Sequence, residues 1–206
     1  MIDKPKSIET IYNGYRFRSR LEARWAVLFD AMGIEYEYEP QGFDLGDGIY
    51  YLPDFLLHGV KGRNDGFEKD NNSVWVEVKG VNNYHDISSE DLTKIERFSK
   101  YYPLYLVGNI PNPKLNIRNP RLSVHCSNVM HDIGNDASDL FSCVYIDGDQ
   151  FGLALCIDTS GAPSLIDANC NQRYMPDDEA TDRAYRIARM ARFEHGETPI
   201  KGGASF

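Results

Sequence analysis

Ile34-Glu35-Tyr36-Glu37-Tyr38-Glu39 alternates apolar and acidic residues without a break. Successive side chains of a strand point to opposite faces, so this segment reads as a β-strand with one buried and one acidic face. A different period precedes it. Leu21, Trp25, Leu28, Phe29 and Met32 recur at helical spacing over Ser19 to Met32, and Gly33 sits where a left-handed stop is expected. Pro40-Gln41-Gly42 breaks the strand, and a second strand follows at about Gly48 to Leu57 (GIYYLPDFLL), then a third at Val74 to Lys79 (VWVEVK). His58 to Ser73, between them, reads as an exposed hairpin loop longer than a tight turn needs. A helix over roughly Ser88 to Tyr101, carrying Leu92, Ile95 and Phe98, and a buried strand at Leu104 to Gly108 complete the first half.

The Pro-rich stretch Ile110 to Pro120 is the natural seam. Beyond it Leu122–Cys126, Cys143–Ile146 and Gly152–Ile157 are short apolar runs, read as a small β appendage or an extension of the sheet. A last helix is expected from about Pro176 to Glu194, with Gly196 after its end. The first ten residues read as a loose arm. The expected organisation is an α/β core over 1–110 and a mainly β extension over 121–206 that ends in an Arg-rich helix.

The length of 206 residues and the 42% hydrophobic content suit a chain that buries roughly 70% of its unfolded surface, with no need of a disulfide or metal. No run of about 18 apolar residues exists, so no membrane span is expected. Met1 to Thr10 has no apolar signal core, and Cys126, Cys143, Cys156 and Cys170 form no CxxC pair. A cytoplasmic, reducing location follows as the expectation. The cysteines read as small core hydrophobes; a zinc site using Cys143, Cys156 and Cys170 with His125 or His131 has nothing in the spacing to ask for it. A net charge of −9 argues against coating nucleic acid by bulk charge, so any polyanion must meet a local basic patch. Two sources exist: Arg16, Arg18, Arg20 and Arg24 around the first helix, and Arg183, Arg186, Arg189 and Arg192 along the last.

Chemistry concentrates in Pro53-Asp54, Glu77-Val78-Lys79 and Glu22. Strand residues i and i+2 share a face, so Glu77 and Lys79 lie side by side while Val74, Val76 and Val78 pack the other face. Asp54 comes within reach if the second and third strands pair as a hairpin. Two carboxylates so placed repel unless a cation sits between them. Mg²⁺ is held through one or two carboxylates plus water and phosphate oxygens, and such a site hydrolyses phosphodiesters.

Pro53-Asp54, 22 intervening residues and Glu77-Val78-Lys79 resemble the signature of the PD-(D/E)XK nuclease superfamily. Phe17 to Ala26 (FRSRLEARWA) is similar to the first core helix of its members, and the whole chain resembles small nuclease-like proteins of bacteriophages and prophages. The likeness covers about Tyr12 to Gly108. It implies a restriction-endonuclease-like core, a mixed central sheet flanked by helices. It implies further that Asp54 and Glu77, completed by Glu22, hold Mg²⁺ or Mn²⁺, and that Lys79 assists the attacking water. The activity expected is hydrolysis of DNA; endonuclease action is favoured because nothing in the sequence suggests a ring-forming exonuclease, and a homodimer is an admissible assembly. The competing reading is a non-catalytic phage-type binding module on the same scaffold; a metal-dependent hydrolase of small nucleotides would need a closed pocket.

Each residue also has a structural reading. Ser19-x-x-Glu22 is a capping box in which Glu22 returns a bond to the Ser19 N–H. Pro53-Asp54 can be an edge proline with a turn acid, and Glu77 with Lys79 a weak pair on a solvated strand face. His58, His85, His125, His131 and His195 show no ligand spacing, and Asp86 and Glu90 suit a helix N-terminus.

Overall fold

The structure is a computed structural model and describes residues 7–62, 73–81, 84–110, 142–146, 149–151, 153–167 and 178–196. A short hairpin, β1 (Thr10–Tyr12) and β2 (Tyr15–Phe17), leads into helix α1 (Arg20–Met32). Ser19 caps that helix, its hydroxyl accepting the Glu22 N–H at 3.1 Å, and Gly33 closes it at φ 72°. There a side chain would be strained, which is why the periodic run stops at a glycine.

Strands β3 (Glu35–Tyr38), β4 (Phe43–Asp44), β5 (Tyr50–Tyr51), β6 (Phe55–His58), β7 (Lys61–Gly62) and β8 (Val74–Val78) follow, then α2 (Ser89–Ser99) and β9 (Leu104–Val107). Later come β10 (Ser142–Ile146), β11 (Asp149–Phe151), β12 (Leu153–Ile157), β13 (Pro163–Asp167) and α3 (Asp178–Met190). The class is mixed α/β. Six strands form the central sheet in the order β11-β10-β9-β8-β6-β3, with β8 and β9 parallel and the other neighbours antiparallel. The β8–α2–β9 crossover supplies the parallel step, as such a step requires.

Apolar alternation then assigns the two faces. Val74, Val76 and Val78 join Phe55, Leu57 and the inner side of α1 in the larger core. Trp75, Leu104 and Leu106 meet Ile95 and Phe98 of α2 in the smaller one. Ala184, Tyr185 and Ala188 of α3, with Leu155, Ile157 and Leu165, share the larger core, and β10 and β11 continue the central sheet. The edge of β12 is satisfied by side chains: Thr181 Oγ1 accepts the Ile157 N–H at 3.0 Å, and the Tyr185 hydroxyl donates to the Leu155 carbonyl at 2.9 Å. That covers an edge which would otherwise offer itself for pairing.

Three expectations need correction. The run Gly48 to Leu57 is not one strand but β5, a break, and β6, because Pro53 has no N–H to continue a ladder. β5 turns back on β4 instead, with Tyr51 opposite Phe43. The last helix ends at Met190, not Glu194, and a short 3-10 turn, Phe193–His195, carries the chain to Gly196. The segment expected as an exposed hairpin loop contains β7, which pairs in parallel with β13. The run Leu122–Cys126, the seam after Ile110, Pro176, Cys170, His125 and His131 lie outside the described residues. No helix among the described residues is long and apolar enough to cross a membrane.

Candidate active site

The register of β6 on β8 pairs Leu57 with Val74, Leu56 with Trp75 and Phe55 with Val76. One further step would set Asp54 opposite Glu77, and there the backbone ladder stops. Asp54 replaces it: its Oδ2 accepts the Val78 N–H at 2.7 Å, while its own carbonyl accepts the Glu39 N–H at 2.8 Å. A carboxylate thus stands where a strand carbonyl would have been, directly after the proline that ended the pairing.

Glu77 points to the α2 side of the sheet with Trp75 and is 6% exposed, so the solvated-face reading of this residue fails. Lys79 lies just past β8, its N–H donated to the Val107 carbonyl at 2.8 Å. Its ammonium reaches Glu77 Oε1 at 2.8 Å and Asp91 Oδ1, in the first turn of α2, at 3.1 Å. The Tyr51 hydroxyl donates to Glu77 Oε2 at 2.9 Å. Both oxygens of Glu77 are therefore held, one by a cation and one by a phenol.

Glu22 is buried at the start of α1 and fills the capping role. Its Oε1 accepts the Ser19 hydroxyl at 2.6 Å, and its Oε2 accepts the Tyr38 hydroxyl at 2.6 Å and the Arg18 N–H at 3.1 Å. The backbone partner is Arg18, one residue earlier than the capping-box reading expects. Ser19→Ala is expected to cost about 1 kcal/mol of stability, seen as a lower midpoint in urea at unchanged slope.

The electrostatics follow from the crowding. Burial first, then the Glu77 and Glu22 carboxylates, push the Asp54 carboxyl well above its ordinary 3.8, against the opposing Val78 N–H and Lys79. Burial raises Glu77 too, opposed by Lys79 and Tyr51. For Lys79 burial acts downwards, but the Glu77 and Asp91 carboxylates outweigh it and raise the ammonium. Burial and the neighbouring Glu77 also push the Tyr51 hydroxyl up. Three carboxylates thus share one field with the Lys79 ammonium, which both Glu77 and Asp91 draw on. The donors of Asp54 and Glu77 are oxygens only, and their crowding disfavours ionising both unless a further cation joins them, which is the chemistry a hard divalent cation takes. Among the described residues no three His, Cys, Asp or Glu side chains are grouped as around a metal ion, Glu22 being turned into its cap.

The basic sources are partly engaged. Arg16 pairs with Glu9, Arg18 with Glu39 at 2.8 Å, and Arg24 with Glu194. Arg183, Arg186, Arg189 and Arg192 lie on the exposed side of α3 and the turn after it. His58 bridges Glu37 at 2.9 Å and Ser73 at 3.3 Å, at the other end of β6 from Asp54. Cys156 is buried, its thiol directed at the Ser164 carbonyl.

Tyr51 and Asp91 are the site neighbours that sequence reasoning missed. Asp91 had one faint signal, the spacing Ser88-x-x-Asp91, where the Ser88 hydroxyl both accepts the Asp91 N–H at 3.1 Å and donates to its Oδ2 at 2.8 Å. Nothing in the order of residues ties Tyr51 to Glu77.

Fold and site together define a mixed α/β protein that carries a hydrogen-bonded carboxylate pair, Glu77 buried and Asp54 half-buried, beside one lysine. Comparison of the chain with protein-family models, with curated proteins and with solved structures finds no match.

Proposed function

We propose that the chain is a metal-dependent nuclease of the PD-(D/E)XK kind, with a restriction-endonuclease-like core, hydrolysing phosphodiester bonds in DNA as an endonuclease. One observation carries the reading. Asp54 and the Glu77–Lys79 pair, separated by 22 residues in sequence, come together where the β6–β8 ladder ends, with more carboxyl groups than the one Lys79 ammonium can neutralise. A purely structural site would gain nothing from such an excess.

Asp54 and Glu77 would hold Mg²⁺ or Mn²⁺, with Glu22 as the nearby third acid. When bound, such an ion supplies Lewis-acid stabilisation of charge on a phosphodiester and makes water a nucleophile near neutral pH. The remaining work falls to the chain. Tyr51 fixes one oxygen of Glu77, and Lys79 presents N–H donors to the attacking water or to charge building on the phosphate. The arginines of α3 offer phosphate contacts that carry no sequence information.

The test is incubation of supercoiled and linear DNA with the protein and Mg²⁺ or Mn²⁺, beside EDTA controls and Asp54→Ala. Cleavage by the wild type that EDTA and the substitution both abolish is the expected result. Nicking of closed circles marks the endonuclease, whereas degradation of linear DNA alone marks an exonuclease. A wild type that cuts no form of DNA or RNA overturns the reading and leaves the binding module.

A further inference from the structure

The Lys79 ammonium is held from two elements at once. Its main chain ends β8, but its ammonium is shared between Glu77, two residues back on the same strand, and Asp91, on α2. Asp91 is itself fixed. Its Oδ2 accepts the Ser88 hydroxyl and its N–H is donated to the Ser88 oxygen, which leaves Oδ1 aimed at the lysine. The polar groups form a continuous line, Tyr51–Glu77–Lys79–Asp91–Ser88, with steps of 2.9, 2.8, 3.1 and 2.8 Å.

Consider what each end of the ammonium's hold can do. Glu77 is the carboxylate that a phosphodiester-cleaving site would also spend on its cation. Any diversion of Glu77 Oε1 leaves the lysine with Asp91 alone. A lysine chain has many rotamers open to it, so an ammonium without an anchor spreads over many positions. Helix capping alone would be served by Ser88 and the helix backbone. The contact to Lys79 is what capping does not require.

We propose that Asp91 is a positioning residue that holds the Lys79 ammonium at the site through helix α2. The role rests on the nuclease reading above and adds to it a tether from outside the strand motif. It makes α2 part of the site, so that Lys79 keeps its place whichever way Glu77 is engaged.

The experiment compares wild type, Asp91→Asn, Asp91→Glu and Ser88→Ala in plasmid cleavage with Mg²⁺ or Mn²⁺, separating kcat from KM for DNA. Asp91→Asn keeps an acceptor for the cap and loses the charge; it should lower kcat by about 10- to 100-fold, as loss of outer-sphere partners does, with KM little moved. Asp91→Glu should recover part of that loss. Ser88→Ala should lower stability while losing less activity than Asp91→Asn. In a Lys79→Met background, Asp91→Asn should cost little more, because both act through one group. A further readout needs no catalysis: the Lys79 NH₃⁺ signal in ¹⁵N NMR, slowed in exchange by its two carboxylates, should be lost in Asp91→Asn. Equal activity of Asp91→Asn and wild type overturns the role while the nuclease reading stands. So does an equal loss in both Lys79 backgrounds. A wild type inactive on every nucleic acid overturns both, even if the ammonium signal is present.

Discussion

Lys79→Met is expected to lower metal-dependent cleavage by roughly 10²- to 10³-fold in kcat, the loss typical of one preorganised donor at developing charge. KM for DNA should move far less, because the ammonium is committed to Glu77 and Asp91 and lies only partly exposed, at 20%. Methionine keeps most of the stem, so packing against the site survives. The electrostatic consequence is separate. Without the ammonium, Glu77 keeps only the Tyr51 hydroxyl against its burial, so its carboxyl moves further up and takes a proton more readily. The variant should therefore lose stability as well as rate. The two losses can be parted. Adding Glu77→Gln removes the stranded charge and should return stability without activity. Full cleavage by Lys79→Met would show that the lysine only neutralises Glu77, and would remove it from the catalytic set.

Much of the fold was legible because its cues are local. Helix α1 is written by the spacing of Leu21, Trp25, Leu28 and Phe29 between Ser19 and Gly33, and β3 by its strict alternation. Period-2 alternation also placed Glu77 and Lys79 on one side of β8 and the valines on the other. Pro53 defeated the same reading one strand earlier. An apolar run looked continuous, although the missing N–H splits it and sends Tyr51 toward Glu77. The contacts of Tyr51 and Asp91 depend on how β5 and α2 fold over the sheet, and no local period records that. Nor does any record that Glu77 is covered: a strand face lined by glutamate and lysine looks solvated until α2 is laid across it. Glu9, Glu39 and Glu194 pair with Arg16, Arg18 and Arg24, a partnering that a net charge does not record.

Asp54→Asn is expected to abolish cleavage and, in the absence of divalent metal, to make the protein more stable. The substitution keeps an oxygen to accept the Val78 N–H, so the junction of β6 and β8 is preserved. What it removes is an ionisable carboxyl crowded by Glu77 and Glu22. In the fold the Asp54 carboxyl is raised above its ordinary 3.8. Between that value and the folded one, the native state binds more proton than the unfolded chain, and stability falls as pH rises. Asp54's contribution is complete in acid and gone above the folded value. Asparagine has no such dependence, so variant and wild type should match near pH 3 and diverge towards neutrality. The gain at pH 7, absent near pH 3, is read as a higher unfolding midpoint for the variant. At about 2–4 °C per kcal/mol for a chain of this size, thermal melting resolves it. Saturating Mg²⁺ or Mn²⁺ should then raise the wild-type midpoint by mass action, about 2.7 kcal/mol at a hundredfold excess over Kd, and leave Asp54→Asn nearly unmoved. Lower stability of the variant at pH 7 without metal would mean that Val78 and Lys79 already stabilise the ionised carboxylate. Asp54 would then be a structural acid, with no surplus charge to draw a cation.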